Sequence, residues 1–218
     1  MSVNSLLSCK TSDTTDTAVS VTLNESSLLK TVLIEESANP NEKHLLRPLA
    51  GTFILWEMES AQSDVNKRDV RKIGAFNTLQ GFHTLTSGIK PPSQTLPGND
   101  YMLLKENVNP LWETQNNSNS GKWRILIESC QPDLTRTDAY WYELMSVFVT
   151  GQFSEDQEIQ GIVVHRRNEG DQILVWIRNE KDDRVKFRIG CELKKFVVLS
   201  DDQKVEFILN ETPNASSF

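Results

Sequence analysis

The stretch "IQGIVVHRRNEGDQILVWIRNE", residues 159–180, limits the fold more than any other part of this chain. Two apolar, β-branched runs flank the polar turn "NEGD", which predicts an antiparallel hairpin. Side chains in a strand alternate between two faces, so the hairpin can be sorted residue by residue. Ile173, Val175 and Ile177 share one face of its second strand, and Gln172, Leu174 and Trp176 share the other. His165 and Arg167 point one way from the first strand. The Ile-Val-Ile face belongs against a core. A face carrying an imidazole, a guanidinium, an amide and an indole is poor core material and reads as a ligand-facing surface. Glu169 and Asp171 fall in the turn and are expected to be solvated.

A sheet buried on one face needs a covering layer, and the rest of the sequence supplies one. "GTFILWEM" (51–58), "RKIGAFNT" (71–78), "DYMLLK" (100–105), "KWRILIE" (122–128) and "QKVEFIL" (203–209) read as further strands. Asn77 stands three residues before Gln80, a capping-box spacing that predicts a helix start. In "TDAYWYELMSVFVTG", Trp141, Met145 and Phe148 recur at i, i+4 and i+7, which predicts a helix capped by Thr137 or Asp138. A third helix is predicted over "DDRVKFRIGCELKKFVVL", with Val185, Ile189, Leu193 and Phe196 on its apolar stripe. Mostly antiparallel strands punctuated by a few helices make the class α+β: one curved sheet with helices packed on one face. Trp56, Trp123 and Trp141 lie in apolar segments and are expected to pack in the core.

One tryptophan does not fit. "ENVNPLWETQNNSNSG" (106–121) is a polar, Asn- and Ser-rich loop broken by Pro110, yet it carries Trp112 with Glu113 beside it. A large apolar side chain left in such a loop points to ligand contact, because binding residues concentrate on loops. The net charge of −7 argues against a general, sequence-blind nucleic-acid binder and against DNA as a partner, without excluding recognition of one nucleotide. No apolar run approaches membrane-spanning length, and no basic start followed by an apolar stretch suggests a secretory signal. Cys9, Cys130 and Cys191 are scattered, as expected of reduced thiols in a cytosolic or nuclear protein rather than of a disulfide frame. No catalytic set, metal-ligand spacing or cofactor motif is found. Residues 1–43 are Ser- and Thr-rich and are expected to form a disordered tail, 44–209 the folded domain, and 210–218 a second flexible tail.

Taken in order, "RPLAGTFILW", "AFNTLQGF", "PGNDYMLLKENVNPLWE", "GKWRILI", "YWYELMSVFVTGQF", "IQGIVVHRRNEGDQILVWIRNE" and "IGCELKK" make the chain resemble the eukaryotic translation initiation factor 4E family, which binds the 7-methylguanosine cap of mRNA. The resemblance implies a curved antiparallel sheet of about eight strands, three helices on its convex face, and a cap slot on the concave side. Trp112 would stack on the cationic methylated guanine, and the Glu113 carboxylate would accept its N1–H and amino group together. Trp176 would contact the N7-methyl group, and Arg167 the phosphates with Lys122 near their path.

Three departures from the family pattern follow. The second stacking aromatic is replaced by Asn66, leaving Met58 or Arg68 to cover that side of the base. The usual phosphate-binding Lys is Gln172, and the Trp that usually meets partner peptides is His83. A scaffold or regulatory protein would dock by a short helix on a convex surface made of Pro48, Leu79, His83, Tyr142, Glu143 and Val149. The leading reading is a non-catalytic cap-binding protein that links capped mRNA to translation or its regulation. The rival is an interaction module that kept the fold and lost most cap affinity.

Overall fold

The computed structural model describes residues 48–60, 68–111, 120–128, 135–178, 181–197, 199 and 203–209. Trp112, Glu113, Asn66, the Arg68 side chain and both expected tails lie outside the described residues.

Among the described residues, seven strands and three α-helices follow one another in the order β1 (Pro48–Ser60), β2 (Arg68–Thr78), α1 (Leu79–Ser87), β3 (Asp100–Lys105), β4 (Gly121–Glu128), α2 (Thr135–Val149), β5 (Ile159–His165), β6 (Gly170–Ile177), α3 (Asp183–Phe196) and β7 (Val205–Leu209). The strands form one sheet in the order β2-β1-β3-β5-β6-β4-β7, with antiparallel neighbours throughout. The expected hairpin is present, with His165 opposite Gln172 and Val163 opposite Leu174. Gly170 closes its turn at φ 141°, a backbone angle that a side chain makes costly.

Alternation along the strands divides the apolar residues into two clusters. The larger joins Phe53, Leu55, Leu103, Ile125, Ile162, Ile173, Val175 and Ile177 of the sheet to Phe82 of α1, Trp141, Leu144, Met145 and Phe148 of α2, and Ile189 and Leu193 of α3. All three helices therefore cover one face. Each fully buried Leu, Ile or Phe there contributes roughly 1.5–3 kcal/mol of transfer free energy. The smaller cluster, on the opposite face, holds Met58, Met102, Leu104, Val108, Val163, Leu174 and Trp176, with Trp56 and Val70 packed against it. Trp141 is a core residue as expected, and Trp123 packs edge-on to Phe207. Trp56 instead adjoins the smaller cluster, because its place in β1 alternates with the inward Leu55.

Helix boundaries moved where capping chemistry differed from the expected pattern. Thr78, rather than Asn77, caps α1, its hydroxyl accepting from Gly81 N–H at 3.0 Å. Helix α2 starts at Thr135, so Thr137 and Asp138 lie in its first turn and bond elsewhere. Thr137 donates to Asp171 at 2.7 Å, while Asp138 accepts from the backbone and hydroxyl of Ser93 at 2.8 and 2.6 Å. Helix α3 is capped by Asp182, and Lys194 and Lys195 face the negative end of its dipole.

Candidate functional site

On the face away from the helices, side chains from β4, β6, β7 and the end of β5 enclose a cavity of about 290 Å³ lined by Lys122, Arg124, His165, Arg167, Gln172, Leu174 and Ile208. Strand register explains the gathering. Lys122 lies opposite both Trp176 and Ile208, and Arg124 opposite Leu174 and Glu206. Lys122, Arg167 and Gln172, three residues the sequence singled out for phosphate, thus share one hollow, and Trp176 is buried beside it at 2% exposure. Arg124, His165 and Ile208 join them.

Two of the cavity's cations, Arg167 and Arg124, are held by carboxylates. Arg167 donates from Nη1 to Asp100 Oδ1 at 2.6 Å and from Nη2 to Oδ2 at 3.1 Å, a bidentate pair. His165 Nδ1 sits 2.9 Å from the same carboxylate and 2.7 Å from Arg167 Nη2. Burial pushes the Asp100 carboxyl up, but hydrogen bonds and charge from His165 and Arg167 outweigh it and hold it below the usual carboxylate range. Asp100 is therefore ionised at neutral pH. Arg124 pairs likewise with Glu206 on β7.

A third ion pair lies at the hairpin turn. Arg166 pairs with Asp171, whose carboxylate also accepts from Thr137 of α2 and from the Arg167 backbone. Asp171 is 6% exposed, so the expectation that it is solvated was wrong, whereas Glu169 is exposed. Asp171 is the second residue of β6, opposite Ile127, rather than standing in the loop, and α2 reaches it through Thr137. This anchor sets the direction in which Arg167 leaves the sheet.

The larger hollow of about 950 Å³ lies on the helical side, lined by Glu57, Glu59, Asp69, Arg71 and Tyr101 among others. Its lining sets three carboxylates against Arg71 and Lys90, with Arg71 already paired with Glu57, so the smaller, cation-rich cavity is the better candidate for an anionic ligand.

Residues 48–217 match the family model for eukaryotic initiation factor 4E, which is most of the chain. The chain belongs to the eukaryotic initiation factor 4E family. It is 34% identical to eukaryotic translation initiation factor 4E-1 of Caenorhabditis elegans over 158 residues, 71% of this chain and 74% of that protein. Its structure matches that of Ascaris suum eIF4E-3 solved with an m7G cap, at a TM-score of 0.70 and 29% identity, covering 76% of this chain and 92% of the other. It also matches C. elegans eIF4E-3 in complex with the 4E-binding protein Mextli, at a TM-score of 0.66 and 29% identity, over 73% and 92% of the two chains.

Within this family member, the remaining expected positions divide. Met58 is 6% exposed and packed in the Trp176 cluster, so covering a base would cost it that packing. On the helical side Pro48, His83 and Glu143 are exposed, while Leu79 and Tyr142 are half-buried against the core. Val149 is buried at 2%, so it cannot belong to an exposed partner surface. It follows Phe148 by one residue, roughly 100° around the helix, which keeps it on the edge of the core stripe. The sequence reading missed Asp100 as the partner of Arg167. Its signal was a carboxylate opening the otherwise apolar run "DYMLLK".

Proposed function

We propose that this chain binds the 7-methylguanosine cap of mRNA on the face of its sheet opposite the helices, without catalysis, and that a helix-forming partner docked on the helical side links the capped message to translation initiation or its regulation in the cytoplasm. The observation that carries this reading is the shared cavity of Lys122, Arg167 and Gln172 beside the buried indole of Trp176, in a chain of this family. In it Arg167 and Lys122 supply charge for the phosphates, and Gln172 supplies only a hydrogen bond. Trp112 would stack on the methylated base and Glu113 would accept its N1–H and amino group, so charge and base identity are read together. Asn66 and Arg68 would border the less well covered side of the base. The test is retention of the purified protein on 7-methyl-GTP resin, with release by free 7-methyl-GTP and not by GTP.

A second reading has an observation of its own. Both arginines in the cavity are already faced by carboxylates, Arg167 by Asp100 and Arg124 by Glu206, and Gln172 adds no charge. Failure of retention, with partner binding intact, would favour an interaction module of the same fold.

A further inference from the structure

We propose that the outward face of α3 is an RNA-binding surface, on which nucleotides following the cap stack on Phe187 and set their phosphates against Arg184, Lys194 and Lys195. The inference rests on the cap-binding reading above and adds a second contact with the same message, on the other side of the sheet.

Three observations carry it. The first is charge. Residues 181–196 hold six cations against three carboxylates, a net +3 in a chain of net −7, so the rest of the chain stands at −10. Along α3, Val185, Ile189, Leu193 and Phe196 pack against the core. At about 100° per residue, Arg184, Phe187, Arg188, Lys194 and Lys195 fall on the opposite arc, and all five are exposed. Nearby carboxylates are engaged: Asp183 with Lys186, Glu155 with Arg188, and Glu192 as acceptor of the Ser154 N–H. Asp182 caps the helix. Arg184, Lys194 and Lys195 meet no carboxylate within ion-pair distance among the described residues.

The second observation is the ring itself. Phe187 is 73% exposed, more than any other large apolar side chain among the described residues, and it adds nothing to the core. Single-stranded RNA is held by this combination of groups, bases stacking on an aromatic face whatever their sequence while cations take the phosphates.

The third is position. Gly190 lets α3 lie directly on β4, since a Cβ there would stand 2.6 Å from the Trp123 ring. Lys186 sits 5.2 Å from the centre of the Phe207 ring of β7. Trp123 separates Lys122 from Arg124, which line the phosphate cavity on the sheet's other face, and β7 is the outer strand of the described sheet. A message leaving the cavity past Ile208 therefore reaches α3 by rounding β7. The detour is one strand spacing and one helix diameter, about 15–20 Å. Roughly six nucleotides span it at about 3.4 Å per stacked base. An acidic protein segment would match the charge, but RNA alone is already tethered one sheet away by its cap. The attraction is confined to one helix, in keeping with a chain too acidic to bind nucleic acid at large.

The test compares the 7-methyl-GpppA dinucleotide with an unstructured capped RNA of about twelve nucleotides, twice the length of the detour. One stacked base should give the parent about a five- to tenfold tighter hold on the capped RNA than on the dinucleotide. Phe187→Ala should lose most of that gain and bind the dinucleotide as the parent does. Arg184→Ala, Lys194→Ala and Lys195→Ala combined should lower the log–log salt slope of capped-RNA binding by about two, at about 0.7 per phosphate contact. Equal affinity of the parent for dinucleotide and capped RNA, or a gain that all these variants keep, overturns the inference and leaves the cap reading standing. Equal affinity together with binding of polyglutamate that the triple variant loses would assign the face to an acidic protein instead. Failure of the parent to bind the dinucleotide overturns the cap reading, and this inference with it.

Discussion

Asp100→Asn removes one negative charge and almost no volume from beneath the candidate site. The parent carboxylate is 1% exposed and accepts both Nη groups of Arg167, with His165 against it. Removing one partner of a buried ion pair costs about 3–5 kcal/mol, because the other is left uncompensated. Arg167 is 31% exposed and regains some hydration, which lowers the expected loss to about 2–3 kcal/mol. In a domain of this size 1 kcal/mol shifts the melting temperature by about 2–4 °C, so Asp100→Asn should melt about 5–10 °C below the parent at pH 7. The sign of the pH dependence follows from the depressed Asp100 ionisation. A carboxyl lowered in the folded state stabilises above its unfolded value and loses that contribution as pH falls through the folded one. The gap in melting temperature should therefore hold at pH 5–7 and narrow below about pH 4. Thermal unfolding followed by circular dichroism across that range measures both. A loss under about 1 °C at pH 7, or a gap that does not change with acidification, would show that the Arg167–Asp100 pair does not carry the energy assigned to it.

Gln172→Lys should tighten binding of 7-methyl-GTP and steepen its salt dependence, since it adds a charge to a cavity whose arginines are partly neutralised; titrations at two ionic strengths check this, and unchanged affinity would mean that residue 172 does not reach the ligand. Trp112→Ala should lose on the order of 1–3 kcal/mol of cap binding, and Glu113→Ala should weaken the preference for guanine. Tryptophan fluorescence titration measures the first, and wild-type affinity in Trp112→Ala would sink the assignment of that loop. Leu79→Ala combined with Tyr142→Ala should reduce capture by a 4E-binding peptide that forms a helix, with cap binding retained; equal capture by parent and variant would retire that surface.

The parts of this protein written most plainly in its sequence are those decided by local periodicity. Alternation in 159–177 sorted Ile173, Val175 and Ile177 to the helical face and Gln172, Leu174 and Trp176 to the other, and the structure keeps that division. The apolar stripe Trp141, Met145, Phe148 located the buried side of α2 for the same reason, since side-chain direction along one element depends on backbone geometry alone. What only the tertiary structure decided concerns residues whose surroundings come from elsewhere in the chain. Val149 is buried because the core extends around the edge of the α2 stripe. Asp171 is buried because Arg166 and Thr137 meet it across 34 residues of sequence in the second case. The candidate site itself depends on the order β3-β5-β6-β4-β7, which sets Asp100 under Arg167 and brings Lys122 and Arg124 beside His165. Period-two alternation says which face a residue occupies, but the strand beside it is chosen by the packing of the whole sheet, so the charges that share a cavity and the carboxylates that restrain them appear only once the chain has folded.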